Sequence, residues 1–440
     1  MDARSHFEGK RITIMGLGLL GRGVGDAVYL AEQGAVLTIT DLKSAEQLAP
    51  SLARLKEYPN IEYVLGEHRL EDFRDRDFIL KAAGVPADSL YIEEAKKNGI
   101  SVKMSASWFM ELAGIPVIGI TGTRGKSTVT HMLHGILDKA GARILLGGNV
   151  RGISTLALLD DVTAEHTALF ELDSWQLQGF GDAHLSPQLS IFTTFYPDHL
   201  AYYGGDIDAY LADKANIFLY QKPEDTLILG DQMALTVIDK YEDVIASKIL
   251  VAGEKILPED LDLLVPGAHN RYDAALALAA ARVLGVPDEV SRASLESFIG
   301  IPGRLELVAL KDGISFYNDT NSTTPEATVV ALHALASEAG RGIVLIMGGF
   351  DKGLDMKNLV ELIGETTKHV TLLAGTGTDR IKDSLPDASI FDSLESALTD
   401  ARTAAAPGDI ILFSPAFASF GMFTNEYDRG DQFNALVKDL

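Results

Sequence analysis

Residues 117–130 read VIGITGTRGKSTVT. An apolar, strand-like run ends at Thr121 and a glycine-rich turn follows. Lys126 and Ser127 then open a segment in which Val129, Met132, Leu133, Ile136 and Leu137 recur at helical spacing. Gly141 stands where such a helix would be capped. Strand, glycine turn, Lys–Ser and amphipathic helix is the order of a phosphate-cradling loop. Loop N–H groups and the lysine take the β- and γ-phosphates of a nucleotide, and the serine hydroxyl takes Mg²⁺. The expected ATP-binding set in this loop is Gly122, Thr123, Arg124, Gly125, Lys126, Ser127 and Thr128. One residue breaks the usual G-x-x-x-x-G-K-[ST] pattern: Ile120 replaces the first glycine. The plainer alternative, a glycine turn with an accidental lysine, leaves the flanking strand and helix unexplained.

Magnesium needs carboxylates beyond the loop. LFELDSWQ, residues 169–176, puts Glu171 at the end of a buried-type strand, where a charge is costly unless paired or functional. IFTTFYPDHL, residues 191–200, puts Asp198 and His199 after the next apolar run. A lone histidine near a strand end is more often a packed, satisfied one. Here three successive strand ends direct polar groups to one crevice, which favours function.

The whole chain sets the frame. Its 440 residues are enough for two to four domains, and 47% hydrophobic with 23% charged residues is ordinary for a globular protein. No apolar run approaches the roughly 18 residues of a membrane span. The N-terminal residues lack the apolar core of a signal peptide. With no cysteine, disulfides, thiolate metal sites and cysteine nucleophiles are excluded, and a reducing cytoplasm is the expected setting. A net charge of −24 without a basic cluster argues against nucleic acid. Its plainest meaning is solubility. An anionic substrate would instead require local positive charge set against the global field.

Val/Ile/Leu-rich runs alternate with helix-period segments, the pattern of parallel sheets with crossover helices. They fall into three blocks: RITIM, AVLTIT and DFILKAAG; then PVIGIT, RILLGGN, TALFEL, LSIFTT, DTLILG and KILVAG; then GIVLIMGG, VTLLAG and DIILFSP. Boundaries are expected near Lys103–Ser105 and in GIPGRLE, residues 300–306. Several runs end in Gly, Asn, Asp or Ser, where open α/β sheets bind ligands.

The first block contains a second glycine loop. Gly16, Gly18 and Gly21 have G-x-G-x-x-G spacing after a strand, with Leu19 between them, and Asp41 ends the next strand 20 residues after Gly21. Backbone N–H groups at the helix start can approach a diphosphate. NAD(P), another nucleotide diphosphate such as a UDP-sugar, and a structural glycine turn all satisfy this loop.

Beyond these loops come GGN with Asn149, DKANIF with Lys214, GAHN with Asn270, GIPGRLE with Arg304, YNDT with Asp319, MGGFDKG with Lys352 and SPAFASF with Ser419. Together with GTRGKST, ELDSWQ and DH, in this order, they resemble the Mur ligase family of peptidoglycan synthesis over essentially the whole chain. The family loop has the form G-T-x-G-K-S, so Ile120 is normal for it. The resemblance is greatest to the branch that joins glutamate to UDP-N-acetylmuramoyl-L-alanine. It implies three α/β domains: a Rossmann-like UDP-binding domain at 1–104, a P-loop-type ATPase domain with a mainly parallel sheet at 105–301, and a Rossmann-like amino-acid-binding domain at 302–440. It turns the first loop toward UDP, with Gly16, Gly18, Leu19, Gly21 and Asp41 as ligands. Asn149, Gln176 and His199 would line the muramoyl-peptide channel.

The resemblance also implies ATP and two Mg²⁺ ions, held by Ser127, Glu171, His199 and a carbamylated Lys214. Read without it, Lys214 is a solvated helix lysine. Asn270, Arg304 and Asp319 would hold the nucleoside, and Asn321, Thr323, Lys352 and Ser419 the incoming amino acid. The implied protein is a cytoplasmic monomer without membrane insertion. Lys126, Glu171, His199 and Lys214 would act in catalysis, through an acyl phosphate formed from ATP.

The chain departs from the family in four places. Asn321 replaces a usual lysine, and Glu426 stands where an aromatic residue is common. Leu20 replaces a small hydroxyl residue, and LKAAGVP replaces an SPG segment. These bear on the amino acid, D- or L-glutamate, more than on the reaction. Three alternatives are another Mur or folylpolyglutamate-type ligase, an inactive nucleotide-binding module and an NAD-dependent oxidoreductase. The last leaves GTRGKST, Glu171 and the Asp–His pair without a role.

Overall fold

The computed structural model describes residues 3–19, 21–86, 88–199, 202–339 and 342–440. Leu20 lies outside them. By internal contacts the chain divides into two units, Met1–Glu259 with Tyr272–Leu295, and Asp260–Arg271 with Glu296–Leu440.

The first unit holds two wholly parallel sheets. Strands β1 (Arg11–Met15), β2 (Val36–Asp41), β3 (Ile61–Leu65), β4 (Phe78–Lys81) and β5 (Ser101–Lys103) pair in the order β3-β2-β1-β4-β5. Strands β6 (Val117–Thr121), β7 (Arg143–Gly148), β8 (His166–Glu171), β9 (Leu189–Phe192), β10 (Thr226–Gly230) and β11 (Lys248–Ala252) pair in the order β11-β10-β9-β6-β8-β7. Covered strands read as continuous apolar runs, and all five residues of β6 are buried. The strand order reverses beside β1 in one sheet and beside β6 in the other, and both glycine loops leave from those strands. Such switch points open a crevice at the carboxyl ends.

Helix Ser105–Ala113 joins the two cores. Its Trp108, 1% exposed, packs in the core of the first sheet with Phe7, Ile14 and Leu30, while the adjacent Phe109 packs in the core of the second with Phe170 and Phe180. Burying one such ring is worth about 1.5–3 kcal/mol, so both sheets are anchored to a single helix.

The second unit holds β12 (Glu306–Lys311), β13 (Ile314–Asn318), β14 (Ile343–Gly348), β15 (Thr367–Leu373), β16 (Ser389–Phe391) and β17 (Ile410–Phe413), in the order β12-β13-β17-β14-β15-β16. The β12–β13 pair is antiparallel and the other pairs are parallel. Asp312 and Gly313, at φ 54° and 77°, form the two-residue turn between β12 and β13. Two successive positive φ values suit the twist of a tight hairpin. No helix among the described residues is long and apolar enough to cross a membrane.

Candidate active site

The phosphate loop bridges β6 and helix Lys126–Lys139, which buries Val129, Met132, Leu133, Ile136 and Leu137. The segment after β9 supports it. Thr123 N–H donates to the Thr194 carbonyl at 2.8 Å, and Arg124 N–H donates to Thr194 Oγ1 at 2.9 Å. Gly125 takes φ 84° at the helix start, and a side chain there would meet Asp273 Oδ1 at 2.4 Å. Glycine is therefore required by both conformation and space. Lys126 Nζ folds back on its own loop, donating to the carbonyls of Gly122 at 3.0 Å and Thr123 at 3.2 Å.

Polar groups from the neighbouring strand ends gather here. Glu171, 4% exposed, ends β8 and accepts from Asn149 Nδ2 at 3.1 Å. Asp198 and His199 follow β9. Burial alone would raise the Asp198 carboxyl, but Arg124, donating to it at 3.0 Å, and His199 hold it below the usual range. Burial lowers the His199 pKa, which favours a neutral imidazole able to ligate a metal. His199 adopts φ 54° and its ring lies 4.7 Å from that of Trp175.

Lys214 is not a surface lysine. It is 1% exposed and donates to the Gly122 carbonyl at 2.8 Å. Burial, then the charge of Lys126, lowers its pKa well below that of an ordinary lysine. Its helix, Ile207–Ala215, buries Tyr210, Leu211, Lys214 and Ala215, so the side chain is drawn beneath the phosphate loop.

Among the described residues, no group of three or more His, Cys, Asp or Glu forms a ready metal cage. Ser127, Glu171 and His199 fit Mg²⁺ only as partial ligands completed by nucleotide phosphates, which is how this ion is commonly held. Trp175 Nε1 is buried without a hydrogen-bond partner among the described residues. A donor kept dry beside His199 suits an anionic oxygen such as a carbamate or phosphate supplies.

The first glycine loop borders a cavity of about 700 Å³, lined by Gly16, Gly18, Leu19, Asp41, Lys43 and Gln176 among others. The Asp41 carboxylate accepts from the N–H groups of Leu17 at 2.9 Å and Gly18 at 3.2 Å, so it shapes the loop as well as facing the cavity. Gln176 also closes a capping box with Asp173 at the start of helix Ser174–Ala183. Sequence reasoning missed three cations lining this cavity, Arg22, Lys43 and Lys81. Lys81 ends β4 with 3% exposure, and burial lowers its pKa to about 8. A charge closing a buried strand is the signal that marked Glu171, and it was legible at Lys81 too.

In the second unit Asp319, 5% exposed, directly follows β13 and accepts from Leu305 N–H at 3.1 Å and from the hydroxyls of Ser322 and Ser414. Burial raises its pKa to about 6. It ties three segments together, including the one that carries the exposed Arg304. Lys352 Nζ donates to Thr323 Oγ1 at 3.0 Å, and Asn321 Nδ2 donates to the Pro302 carbonyl at 3.3 Å. Ser419 is buried beside the Phe350–Ala418 bridge. Asn270 donates to the Pro266 carbonyl at 2.7 Å.

Parallel sheets with a Lys–Ser phosphate loop at a switch point define a nucleotide-binding α/β class. Family comparison narrows it. Residues 10–104 match the Mur ligase MurD-like N-terminal domain, 120–260 the Mur ligase middle domain, and 303–417 the Mur ligase glutamate ligase domain. The chain belongs to the Mur ligase family. It is 37% identical to a UDP-N-acetylmuramoylalanine–D-glutamate ligase of a Roseiflexus species, over 98% of this chain and 99% of the relative. A ligase of the same name from Treponema pallidum is 31% identical over 99% of both chains. The fold is similar to that of UDP-N-acetylmuramate-alanine ligase MurC of Thermotoga maritima, with a TM-score of 0.63, 18% identity and coverage of 98% of this chain and 99% of that one. MurF of Acinetobacter baumannii gives a TM-score of 0.60 at 16% identity, covering 99% and 92%.

Proposed function

We infer that this protein is an ATP-dependent amide ligase that adds D-glutamate to UDP-N-acetylmuramoyl-L-alanine in the cytoplasm, as a step of peptidoglycan precursor synthesis. The observation that carries the reading is the loop Gly122–Ser127 with Glu171, His199 and the buried Lys214 gathered at the ends of β6, β8 and β9. The substrates are those of the similar UDP-N-acetylmuramoylalanine–D-glutamate ligases, which match over nearly their whole length. On this reading residues 1–104 bind UDP, 105–301 ATP and 302–440 the amino acid, and the protein acts as a monomer.

A carboxylate does not react with an amine directly. The substrate's alanyl carboxylate oxygen attacks the γ-phosphorus of ATP, ADP leaves, and an acyl phosphate forms. Lys126 and the loop N–H groups hold the transferring phosphoryl group in line. The neutral amine of glutamate then attacks the acyl carbon. The tetrahedral intermediate expels phosphate, the amine nitrogen loses a proton, and an amide remains. Ser127 and Glu171, and at a second site His199 and a Lys214 carbamate, would hold Mg²⁺, which would supply charge neutralisation for the transfer. Asn270, Arg304 and Asp319 serve the nucleoside. Asn149, Gln176 and His199 serve the muramoyl peptide.

The test is phosphate release with UDP-N-acetylmuramoyl-L-alanine and ATP across a panel of D- and L-amino acids. Release with D-glutamate alone is expected. Release only with L-glutamate would move the protein to the L-specific alternative.

Asn321 tunes this site. Lys352 and Thr323 form the polar pair expected to meet the amino acid's carboxylates, while Asn321 contributes hydrogen bonds but no charge. A charge-assisted contact is worth about 1.5–3 kcal/mol, roughly 10- to 150-fold in affinity. Asn321→Lys is therefore expected to lower the KM for D-glutamate by about tenfold or more and to make it more sensitive to salt. Steady-state kinetics at two ionic strengths measure both. An unchanged KM would remove Asn321 from the amino-acid site.

A further inference from the structure

Arg22 is the first residue of the helix that leaves the Gly16–Gly21 loop, and it lines the 700 Å³ cavity. Its Nη1 donates to Asn149 Oδ1 at 2.5 Å. Asn149 Nδ2 donates to Glu171 Oε1 at 3.1 Å, and the Asn149 backbone N–H donates to the Glu171 carbonyl at 2.7 Å. The chain of contacts runs from the first sheet to the second, where Gly148 and Glu171 are register partners on β7 and β8. Chemistry gives the chain a direction. A guanidinium only donates and an ionised carboxylate only accepts, so the amide between them has one orientation that satisfies both. A flipped amide would set its NH₂ against the guanidinium and its oxygen against the carboxylate.

We propose that Arg22 is a positioning residue that couples anion binding at the first glycine loop to the metal-binding carboxylate Glu171, through Asn149. The inference rests on the reading above, in which the diphosphate of a UDP-sugar enters the cavity and Mg²⁺ with nucleotide phosphates meets Glu171. A guanidinium has five N–H donors. With one engaged on Asn149, others remain for diphosphate oxygens, which Arg binds with a planar fork. An anion bound there holds the guanidinium from its far side and so restrains the amide. One Glu171 oxygen is then tied to Asn149 and the other is presented to the cation. A guanidinium held on one side only leaves the amide and the carboxylate looser. Coupling of this kind is reciprocal, since each ligand tightens the other by the same factor. The arrangement orders the reaction, because the phosphoryl-transfer site is completed when the acceptor's diphosphate is in place.

The test measures binding. UDP-N-acetylmuramoyl-L-alanine is titrated calorimetrically into the full-length protein with and without saturating Mn²⁺·ADP. Free Mn²⁺ is counted by electron paramagnetic resonance in the reverse titration. In the wild type each ligand is expected to tighten the other about fivefold or more, the lower end of typical coupling. In Arg22→Gln both ligands still bind, but the coupling factor falls to about one. Arg22→Met repeats the measurement with the apolar stem retained, and thermal melting of both variants confirms that they fold. A coupling factor in both variants equal to that of the wild type would overturn the proposal, as would a wild type without coupling. A wild type that fails to bind the UDP-sugar at all would overturn the underlying functional reading and this inference with it. That failure is distinguishable, because it appears before any variant is made.

Discussion

Lys126→Ala is expected to abolish turnover while leaving the UDP-sugar bound. In the free protein the ammonium rests on the Gly122 and Thr123 carbonyls, about one hydrogen-bond length away at 3.0 and 3.2 Å. A nucleotide triphosphate offers it a far stronger acceptor, so it moves from carbonyl dipoles to phosphate oxygens as negative charge arrives. Removing one preorganised donor from a transition state costs roughly 10²–10³ in rate, and a full positive charge on the transferring group costs at least that. The loop itself survives, because Thr194 holds Thr123 and Arg124 through contacts that the substitution does not touch. No described residue lining the cavity at Gly16–Gly21 comes from the phosphate loop. Phosphate release reads the loss of rate, and calorimetry with the UDP-sugar reads the retained affinity. An affinity that fell as far as the rate would sink the assignment of the two ligands to separate loops.

The contrast between the two loops shows which physics a sequence exposes. Strands buried on both faces announce themselves as apolar runs, and every such run read from the sequence is a strand in the structure. The edge strands β7 and β11 were read, but β3, β5, β12 and β16, also at edges, and β13 beside β12 were missed. β5 and β16 have three residues each and β3 shows only two fully buried positions, too little periodicity to separate from a loop. The β12–β13 hairpin did carry a signal, since Asp312–Gly313 between two alternating segments is a turn pair. Loop glycines were legible because backbone geometry demands them. Burial of polar side chains outside strands was not, because it comes from packing between distant segments. Nothing in the sequence pairs Arg22 with Asn149, 127 positions away. Asp319 reads as a ligand at a strand end, yet its carboxylate is engaged by three neighbours within the fold.

Lys214 is the extreme case, and its replacement has the second large effect expected. By sequence it is one more charged residue on a polar helix. In the fold it is 1% exposed, and burial together with the Lys126 charge lowers its pKa far from the ordinary 10.5. An amine must be neutral to add to CO₂, giving a carbamate and one proton, so this shift would favour modification of Lys214 at a pH where a surface lysine stays charged. The sign follows by linkage. The folded pKa lies below the unfolded value, so the unfolded chain binds the extra proton. Stability therefore rises with pH between the lowered value and about 10.5 and is lost as pH falls through the lowered value. The carbamate would replace a repulsive cation with an anion for the second Mg²⁺. Lys214→Ala is accordingly expected to lose activity by a factor on the order of 10² or more, the scale of removing one electrostatic stabiliser. Wild type exposed to ¹³C-bicarbonate should show a carbamate resonance that the alanine variant lacks. CO₂-depleted wild type should regain activity on adding bicarbonate, and more readily at higher pH. Lys126→Ala, by removing the neighbouring charge, should shift carbamate formation to higher pH, although burial, the larger cause, remains. An alanine variant with full activity, or active wild type with no carbamate signal, would leave Lys214 as a buried structural amine and the second metal site without its anion.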